Sequence, residues 1–479
     1  MDGNKVTLKS KLLYGMGDIY GGGAFLVINL LFLNFLTDVE KLAPYLAGSI
    51  FLIGKVWDAV SDPLMGIISD RTKSRYGRRR IYFLAGIIPV LLSFFMLWYS
   101  FGIESQTGLF IYYLLAYTFF STAFTMVMIP YSAILPDMTD DYKERTSLSG
   151  FRLIFSALSA IVAGVLPKII INAFGSNETK GYMIMGAALA VFYAIPWLLV
   201  FIGTYERKDR SETQDSGFNA FKELRATLRN KSFRIHTGIF LSSLAAVDFL
   251  TTLFIYYLTY CLNRPKEFSA VLGALLVVQV VAMPVHIKLS KRYGKTMPLK
   301  VGFGVWTAAL IAALFVNEGQ SSALVYGIAI LSGIGTSAAV FVPWSILPEI
   351  ADVDEMISTR RREGIYCGMA TLLRKMAQAV TVFVIGIILQ WSGYIPNVEQ
   401  TQFVKTVIKV LFSIAPIICI VLGVVFAGMY KMTEGKYKLL KAEIDRRKNG
   451  GAAASVKDES KNICEELTGI SYEKLWGGM

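Results

Sequence analysis

Apolar segments of roughly 20 residues follow one another along most of the chain, separated by short polar stretches. A segment of about 20 apolar residues forms a helix long enough to cross the ~30 Å hydrocarbon core of a bilayer. The pattern predicts twelve membrane-spanning helices at residues 12–36, 44–69, 81–101, 108–134, 147–172, 181–204, 235–261, 267–290, 297–316, 322–346, 364–392 and 402–430. Because only helices and closed barrels satisfy the backbone in lipid, we expect an all-α membrane protein.

Lysine and arginine alternate between the loops, which predicts the orientation of the chain. They cluster in the loops after the second, sixth, eighth and tenth spans and are absent from those after the third and ninth. Basic loops stay on the cytoplasmic side, so both termini are expected there. The polar stretch 205–234 is expected to be a cytoplasmic linker between two halves, 1–204 and 235–430. Residues 431–479 are expected to form a cytoplasmic tail, helical at first and then disordered.

Composition agrees with a membrane protein and argues against other classes. The chain has 479 residues, 54% of them hydrophobic and only 17% charged, with a mean hydropathy of +0.51. The net charge of +13 is explained by the membrane-flanking loops, so no nucleic-acid partner is expected. The four cysteines and two histidines lack metal-ligand spacing, and no nucleophile or phosphate-binding motif is present. We therefore expect a protein that is not an enzyme and carries no cofactor.

Two internal repeats indicate a duplication. The sequence Arg-Tyr-Gly at residues 75–77 returns at 292–294, each time after an even-numbered span. A Pro-aromatic-Ser segment ending in Leu-Pro-acid occupies 130–137 and returns at 343–349, at nearly the same offset. Two parallel six-helix repeats are the organisation of the major facilitator fold, with a solute held at mid-membrane between the halves.

The second span carries two acids, Asp58 and Asp62, four residues apart and therefore on one helix face. A charge in the hydrocarbon core costs at least about 2.5–3.5 kcal/mol, so such residues normally face a polar interior. Two carboxylates with nearby hydroxyls would suit Na⁺ or would share a proton, which predicts a coupling-cation site. The competing reading is that Lys55, three residues before Asp58, merely neutralises it within the bundle.

The loop after this span resembles the signature loop of the major facilitator superfamily, with extra residues inserted. We expect a charge clamp that latches two helix ends in one conformation, formed by Gly66, Asp70, Arg71, Gly77 and Arg78. A cluster of cytoplasmic positive charge would explain the arginines alone, but not Asp70 or the glycines.

Further polar residues interrupt other apolar spans and are candidates for solute binding. They are Asp18, Arg152, Asp248 and Lys375. Asp18 precedes the glycine run 21–23, where either a ligand or a neighbouring helix could approach the backbone. Tyrosines could stack on a sugar ring, Tyr131 among them, although helix packing explains any single one more simply; the set is Tyr20, Tyr131, Tyr256 and Tyr260.

These residues make the chain resemble the glycoside–pentoside–hexuronide:cation symporters from about residue 14 to about residue 393. The matching segments are Tyr-Gly-Met-Gly at 14–17, Thr-Asp at 37–38, Trp-Asp-Ala at 57–59, Asp-Pro-Leu-Met-Gly at 62–66, Arg-Tyr-Gly at 75–77, Ile-Pro-Tyr at 129–131, residues 140–146, Ile-Ala-Asp at 350–352 and residues 362–366. In this order and spacing they are specific for the family.

The resemblance implies roles for particular residues. The family's cation site falls on Asp58 and Asp62 with a hydroxyl at Thr125, and its sugar-contacting bases fall on Arg152 and Lys375. Its sugar-binding acid falls on Gly22 and its sugar-stacking tryptophan on Ser132. A further acid falls on Met128. Losing two acids while keeping two bases suggests an anionic solute such as a hexuronide.

The expected function is therefore import of a sugar, glycoside or hexuronide with Na⁺ or H⁺ by alternating access in the plasma or inner membrane. An alternative within the same superfamily is transport of a lysophospholipid or another amphiphile. A non-transporting sensor is disfavoured, since a sensor need not keep the two acids of the second span.

Overall fold

The computed structural model of the chain is helical, and it describes residues 6–139, 142–175, 177–206, 226–359, 362–452 and 455–476. The α-helices are α1 Leu8–Gly15, α2 Asp18–Val27, α3 Pro44–Arg71, α4 Arg80–Ala85, α5 Ile87–Met96, α6 Gln106–Met138, α7 Tyr142–Asn172, α8 Glu178–Gly203, α9 Lys231–Tyr256, α10 Phe268–Tyr293, α11 Met297–Phe315, α12 Ser322–Ser358, α13 Glu363–Ser392, α14 Gln402–Met429, α15 Glu434–Lys448 and α16 Asp458–Thr468. Helices α2 and α9 are extended by wider turns of π-helix at Ile28–Phe32, Phe35–Val39 and Tyr257–Cys261. Most of the predicted linker and the pairs 140–141 and 360–361 lie outside the described residues.

Ten helical segments in the described part of the chain are long and apolar enough to cross a membrane. The other two predicted spans fall on α3 and on the pair α4–α5. Helix α3 has 28 residues and is about 42 Å long at 1.5 Å per residue, which suffices to span a bilayer. Its apolar character is lowered by Lys55, Asp58 and Asp62 near its centre. The twelve predicted spans are therefore all helical.

The glycine run of α2 serves close helix packing. A Cβ added at Gly22 would lie 2.7 Å from the carbonyl oxygen of Ser156 on α7, and one at Gly23 would lie 2.2 Å from Ser159 Oγ. Ser159 Oγ also donates to the carbonyl of Ile19 at 2.6 Å. Of the two readings left open by the sequence, helix packing is the one that the structure shows for Gly22 and Gly23.

The structure of the tail differs from the disorder that the sequence predicted. The sequence predicted disorder after a first tail helix, but a second helix, α16, follows and is packed. Its apolar side chains share one helix face, with Ile463, Cys464 and Leu467 buried. Burial raises the pKa of the Cys464 thiol to about 12. The reason is that this short amphipathic face finds a protein surface to cover, which polar composition alone did not reveal.

Helices α15 and α16 are fixed to the end of α12. Asp352 accepts hydrogen bonds from Tyr437 Oη and Lys441 Nζ, both at 2.7 Å. Lys448 Nζ pairs with Glu355 at 2.7 Å, and the Trp476 amide donates to the Met356 carbonyl at 2.9 Å. The tail is thus a folded extension of the carboxyl-terminal half.

The chain forms two compact units. One contains Met1–Asp215, Thr251–Leu276 and Ala379–Ile408. The other contains Ser216–Leu250, Val277–Gln378 and Lys409–Met479. The first unit therefore includes the ends of α9 and α13 together with the helices of the amino-terminal half.

Candidate cation and solute sites

The two acids of α3 have different surroundings. Lys55 Nζ lies 3.0 Å from Asp58 Oδ2, and both side chains are almost fully buried, at 2% and 1% exposure. The ammonium also lies 3.9 Å from the centre of the Phe25 ring. This pair matches the competing reading from the sequence, in which Lys55 neutralises Asp58. Such a pair is costly to break, because the remaining buried charge has lost its partner.

Asp62, one helical turn further on, has a hydroxyl partner. Thr125 Oγ1 of α6 donates to Asp62 Oδ1 at 2.6 Å. Thr125 is buried, and Asp62 is half-buried. The structure thus brings together the carboxylate and the hydroxyl that the family resemblance paired. A carboxylate with a hydroxyl oxygen beside it offers hard oxygen ligands to a cation or a base for a proton.

Asp18 and Arg152 are also brought together. Arg152 Nε and Nη2 each lie 3.4 Å from one carboxylate oxygen of Asp18. The guanidinium carbon is 4.5 Å from the centre of the Tyr131 ring, and Tyr131 Oη donates to the carbonyl of Tyr14 at 2.8 Å. Arg152 is therefore held between a carboxylate and an aromatic face, a combination that fixes the plane of the guanidinium.

Three residues predicted to contact the solute have different surroundings. Tyr131 is buried, and its ring face lies against the Arg152 guanidinium. Gly22 packs against Ser156 of α7. Ser132 is exposed. The physical reason is helix rotation: consecutive residues of α6 point about 100° apart, so Tyr131 and Ser132 face different surroundings.

Asp248 of α9 forms a second acid–arginine pair. Its carboxylate is 2% exposed and accepts two hydrogen bonds from Arg374 of α13, at 2.6 and 2.7 Å. This two-point geometry is the strong form of the interaction. Sequence reasoning selected the neighbouring Lys375 and missed Arg374. Lys375 is half-buried on the same helix. The sequence did contain a signal for Arg374, because it is a second basic residue inside the apolar span and is adjacent to Lys375.

Charged residues after α3, where the sequence predicted a clamp, are linked by ion pairs and hydrogen bonds. Asp137 of α6 accepts hydrogen bonds from Arg78, at 3.3 Å, and from Arg79. Arg79 also pairs with Asp70 at 2.7 Å. The carboxylate of Glu206 accepts the backbone N–H groups of Arg78, Arg79 and Arg80 at 2.9–3.0 Å.

The glycines of this clamp differ in what they provide. Gly77 has φ +104°, and a Cβ there would lie 2.6 Å from Glu206 Oε1, so glycine is required. A Cβ at Gly66 would meet nothing closer than 4.0 Å, and no close approach explains that residue. Arg79, Asp137 and Glu206 also take part in these contacts and are not among the clamp residues predicted from the sequence.

A second clamp forms at the repeated motif. Lys295 Nζ lies 2.9 Å from Glu349 Oε1 and donates to the Ser345 carbonyl at 2.6 Å. Tyr430 Oη donates to the same glutamate at 2.9 Å. The pairs Arg78–Asp137 and Lys295–Glu349 thus occupy corresponding places in the two repeats.

Comparisons with known proteins agree with this architecture. Residues 13–434 match the family model described as MFS/sugar transport protein. The chain belongs to this family. It includes the cation symporters of melibiose-permease type that the sequence motifs resemble. The chain is accordingly a multi-pass membrane transporter with the major facilitator fold.

The relatives are similar over almost their whole length. An uncharacterized symporter of Synechocystis, sll1374, is 28% identical and is aligned over 93% of this chain and 98% of its own. The inner membrane symporter YicJ of Escherichia coli is 27% identical, over 90% and 93%. A sodium-dependent lysophosphatidylcholine symporter of Gallus gallus is 24% identical, over 96% and 92%. All three of these relatives are named as symporters.

Solved structures confirm the fold alone. The nucleoside transporter NupG superposes with a TM-score of 0.60 at 16% identity, covering 90% of this chain and 100% of its own. A bacterial homologue of the human lysosomal transporter Spinster, in an inward-facing and unoccupied conformation, gives 0.62 at 13% identity, covering 89% and 95%.

Proposed function

We propose that the chain is a cation-coupled symporter of a neutral glycoside-like solute, working by alternating access with both termini in the cytoplasm. The observation that carries the proposal is the carboxylate of Asp62, which meets the Thr125 hydroxyl at 2.6 Å inside a membrane helix. Placing an ionisable residue in a membrane span costs free energy, and such residues usually mark an ion or proton pathway.

The neighbouring pair sharpens the cation assignment. Asp58 already has a buried cation, the ammonium of Lys55 at 3.0 Å. Asp62 has the Thr125 hydroxyl in the corresponding place, which adds a second oxygen ligand beside the carboxylate. A Na⁺ ion would be held by Asp62, Thr125 and further oxygens, with Asp58 contributing if Lys55 swings aside. A proton would bind Asp62 directly.

The solute assignment rests on the acid–arginine pair of the first unit. Arg152 and Asp18 together carry no net charge, and each keeps hydrogen-bonding capacity beyond its partner. Sugar hydroxyls both donate and accept, so they can bond a carboxylate and a guanidinium at once. A hexuronide would have to displace Asp18 from Arg152. We therefore favour a neutral glycoside over the anionic solute that the sequence suggested.

The acid–arginine pair of the second unit has the same chemistry. Arg374 and Asp248 are also mutually neutralised, at 2.6 and 2.7 Å. Substrate sites in transporters of this organisation lie near the bilayer midplane. We propose that Asp248 and Arg374, with Lys375, belong to the solute-binding residues of the carboxyl-terminal half.

A second candidate function comes from the lysophosphatidylcholine symporters among the relatives. The chicken protein aligns over 96% of this chain at 24% identity. A lysolipid needs an apolar surface for its acyl chain as well as a polar one for its headgroup. The two candidates therefore differ in solute and share the cation site.

Ligand-induced thermal stabilisation of the purified protein tests the proposal. The panel contains galactosides, xylosides, glucuronides, galacturonides and a lysophosphatidylcholine, each with Na⁺, with Li⁺ and with neither at two pH values. A ligand at 100 times its Kd stabilises the native state by about 2.7 kcal/mol. We expect a shift with one neutral glycoside class that grows with a cation or with protons.

The matched variant is Arg152→Gln, which should remove the glycoside shift while leaving the cation shift. A shift with uronides alone would restore the anionic solute. A shift with lysophosphatidylcholine alone would transfer the protein to the second candidate function. Retention of the glycoside shift by Arg152→Gln would refute the role of the acid–arginine pair.

A further inference from the structure

Asp38 stands at the end of the first membrane span, opposite the amino terminus, and its carboxylate is caged by hydroxyl groups. It is 5% exposed. Thr37 Oγ1 and Tyr394 Oη donate to Oδ1, each at 2.6 Å, and Tyr260 Oη donates to Oδ2. The proposed transport function does not use this residue, yet a buried carboxylate with three donors is an expensive feature to maintain.

The donors come from distant parts of the chain. Thr37 and Asp38 belong to the amino-terminal half, whereas Tyr260 follows α9 and Tyr394 follows α13 in the carboxyl-terminal half. Thr37 Oγ1 also lies 2.9 Å from Tyr256 Oη. All of these residues belong to the first compact unit. The cage therefore joins the two sequence halves at one membrane face.

The tyrosines also pack on one another. The ring of Tyr394 meets the rings of Tyr256 and Tyr260 edge-on, at 5.6 and 5.4 Å between centres. Asn397 adds a backbone N–H bond to Tyr260 Oη at 3.2 Å and a side-chain bond to the Asp38 carbonyl. The cage is thus built from both polar and aromatic contacts, and it excludes water from the carboxylate.

The helices beneath the cage approach closely. A Cβ at Gly386 of α13 would lie 2.5 Å from the Pro44 carbonyl oxygen at the start of α3. A Cβ at Gly48 of α3 would lie 3.1 Å from the α-carbon of Phe383. These two glycines let the backbones of the halves touch at the same face as the cage.

A third contact lies between α7 and α10. Ser269 Oγ donates to the Val165 carbonyl at 3.0 Å, and a Cβ at Gly164 would meet Leu276 at 2.3 Å. Among these three contacts, the Asp38 cage is the one built around a charged side chain. A dry apolar contact resists separation weakly in lipid, because helices gain no hydrophobic driving force there.

We propose that Asp38, Tyr260 and Tyr394 form a gate latch, a set of gating residues that holds this membrane face closed and opens when the transporter exposes its solute site there. The proposal rests on the proposed transport function, because it requires two accessibility states. Opening separates the hydroxyls from the carboxylate, which then exchanges three protein donors for water. The latch therefore sets the balance between the two states without touching the solute.

A native cysteine beside the latch can report whether this face is open. Cys261 follows Tyr260 directly, is 3% exposed, and its Sγ lies 3.4 Å from the Lys405 carbonyl. A background with Cys367→Ala, Cys419→Ala and Cys464→Ala leaves this thiol as the single cysteine. Its rate of alkylation by a membrane-impermeant maleimide, applied to sealed vesicles from each side in turn, measures opening of this face.

The expected result is an increase of about tenfold or more in the alkylation rate with Asp38→Asn and with Tyr394→Phe, from the side opposite the termini only. Each substitution weakens hydrogen bonds to a charged group, and the rate follows the open population. The matched control is Tyr182→Phe. Tyr182 Oη bonds Asn34 Oδ1 at 3.4 Å, one turn before Asp38, but wholly within the amino-terminal half. It should leave the rate unchanged.

Unchanged rates in both latch variants would overturn the proposal. So would an equal increase in the Tyr182→Phe control, or an increase from both sides, because either would indicate local unfolding. Thermal unfolding of each variant identifies a misfolded protein, and Tyr394→Phe keeps the ring packing should Asp38→Asn fail to fold. The alkylation measurement needs no solute. If no ligand of the panel stabilised the protein but alkylation were still faster in the latch variants, the gate latch would be supported and the proposed glycoside transport would be contradicted.

Discussion

The two halves of the chain place different chemistry at corresponding positions of α3 and α10. Asp62 stands thirteen residues before the Arg-Tyr-Gly motif of the first half, and Gln279 stands thirteen residues before that of the second. Each is half-buried and each accepts a threonine hydroxyl. Thr125 bonds Asp62 at 2.6 Å, and Thr336 bonds Gln279 at 3.2 Å. Both halves thus have a hydrogen bond from a threonine hydroxyl to this position, but the acceptor is a carboxylate in the first half and a neutral amide in the second.

The position of Asp58 shows the same difference. Its counterpart, seventeen residues before the second motif, is Leu275, which is buried. An amide and a leucine are thus sufficient for packing at these two places. The repeat comparison therefore gives no packing reason for a carboxylate at either position, which supports the proposal that Asp62 binds the coupling cation. The clamps, in contrast, keep opposite charges in both halves.

The largest effect is expected from converting the first half to the chemistry of the second. Asp62→Gln should abolish the thermal stabilisation produced by whichever of Na⁺, Li⁺ or pH stabilises the wild type. The amide keeps an acceptor for Thr125, so the melting point without cation should change little. The matched control, Gln279→Leu, should retain the full cation shift. If a cation still raised the melting point of Asp62→Gln, the carboxylate of the first half would have no role in cation binding that the amide of the second half lacks.

The next effect concerns the buried pair of α3. Lys55→Met or Asp58→Asn alone should lower the free energy of unfolding by about 3–5 kcal/mol, because each leaves a buried charge without its partner. The double variant Lys55→Met with Asp58→Leu, which copies Leu275, should regain most of this loss. Unfolding by denaturant measures the three variants together. A double variant as unstable as the single ones would mean that the pair is needed for packing.

The clamps should differ in strength. Asp137→Asn should cost about 2–3 kcal/mol of unfolding free energy, because this buried carboxylate accepts from two arginines. Glu349→Gln should cost about 1 kcal/mol or less, because its partner Lys295 is 33% exposed and screened by solvent. The same unfolding measurement compares them. Equal losses would show that the two clamps are energetically equivalent despite their different partners.

The smallest effect distinguishes the two threonines. Thr125→Val should cost about 1.5 kcal/mol, because its hydroxyl bonds a carboxylate, and Thr336→Val about 0.5 kcal/mol, because its partner is neutral. Thr125→Ser, which keeps the hydroxyl, is the control and should behave as the wild type. A larger loss at Thr336 would contradict the assignment of a charged group to Asp62.

The helices and the fold could be predicted from the sequence, because these depend on local patterns. The apolar periodicity gave the spans, and the four-residue spacing placed Asp58 and Asp62 on one face. Local patterns did not predict which residues far apart in the sequence form pairs. Arg374 meets Asp248 across 126 residues, and Tyr394 meets Asp38 across 356. Such pairs depend on how each helix is rotated about its axis, which a single span does not reveal.

Two further features have the same origin. Tyr131 was predicted to contact a solute, and its packing against the Arg152 guanidinium comes from its orientation on α6. The tail was expected to be disordered beyond its first helix, but α16 folds because α12 and α15 provide a surface for its apolar face. In both cases the side chain's surroundings came from other helices.

The most direct test of the coupling claim is accumulation of the glycoside identified by thermal shift in proteoliposomes under an imposed Na⁺ gradient, an imposed proton gradient or neither. The wild type should concentrate the solute with one gradient and only equilibrate without it. Asp62→Gln should still equilibrate the solute but should not concentrate it under either gradient. Gradient-driven accumulation by Asp62→Gln at the wild-type level would contradict the assignment of Asp62 as the coupling site.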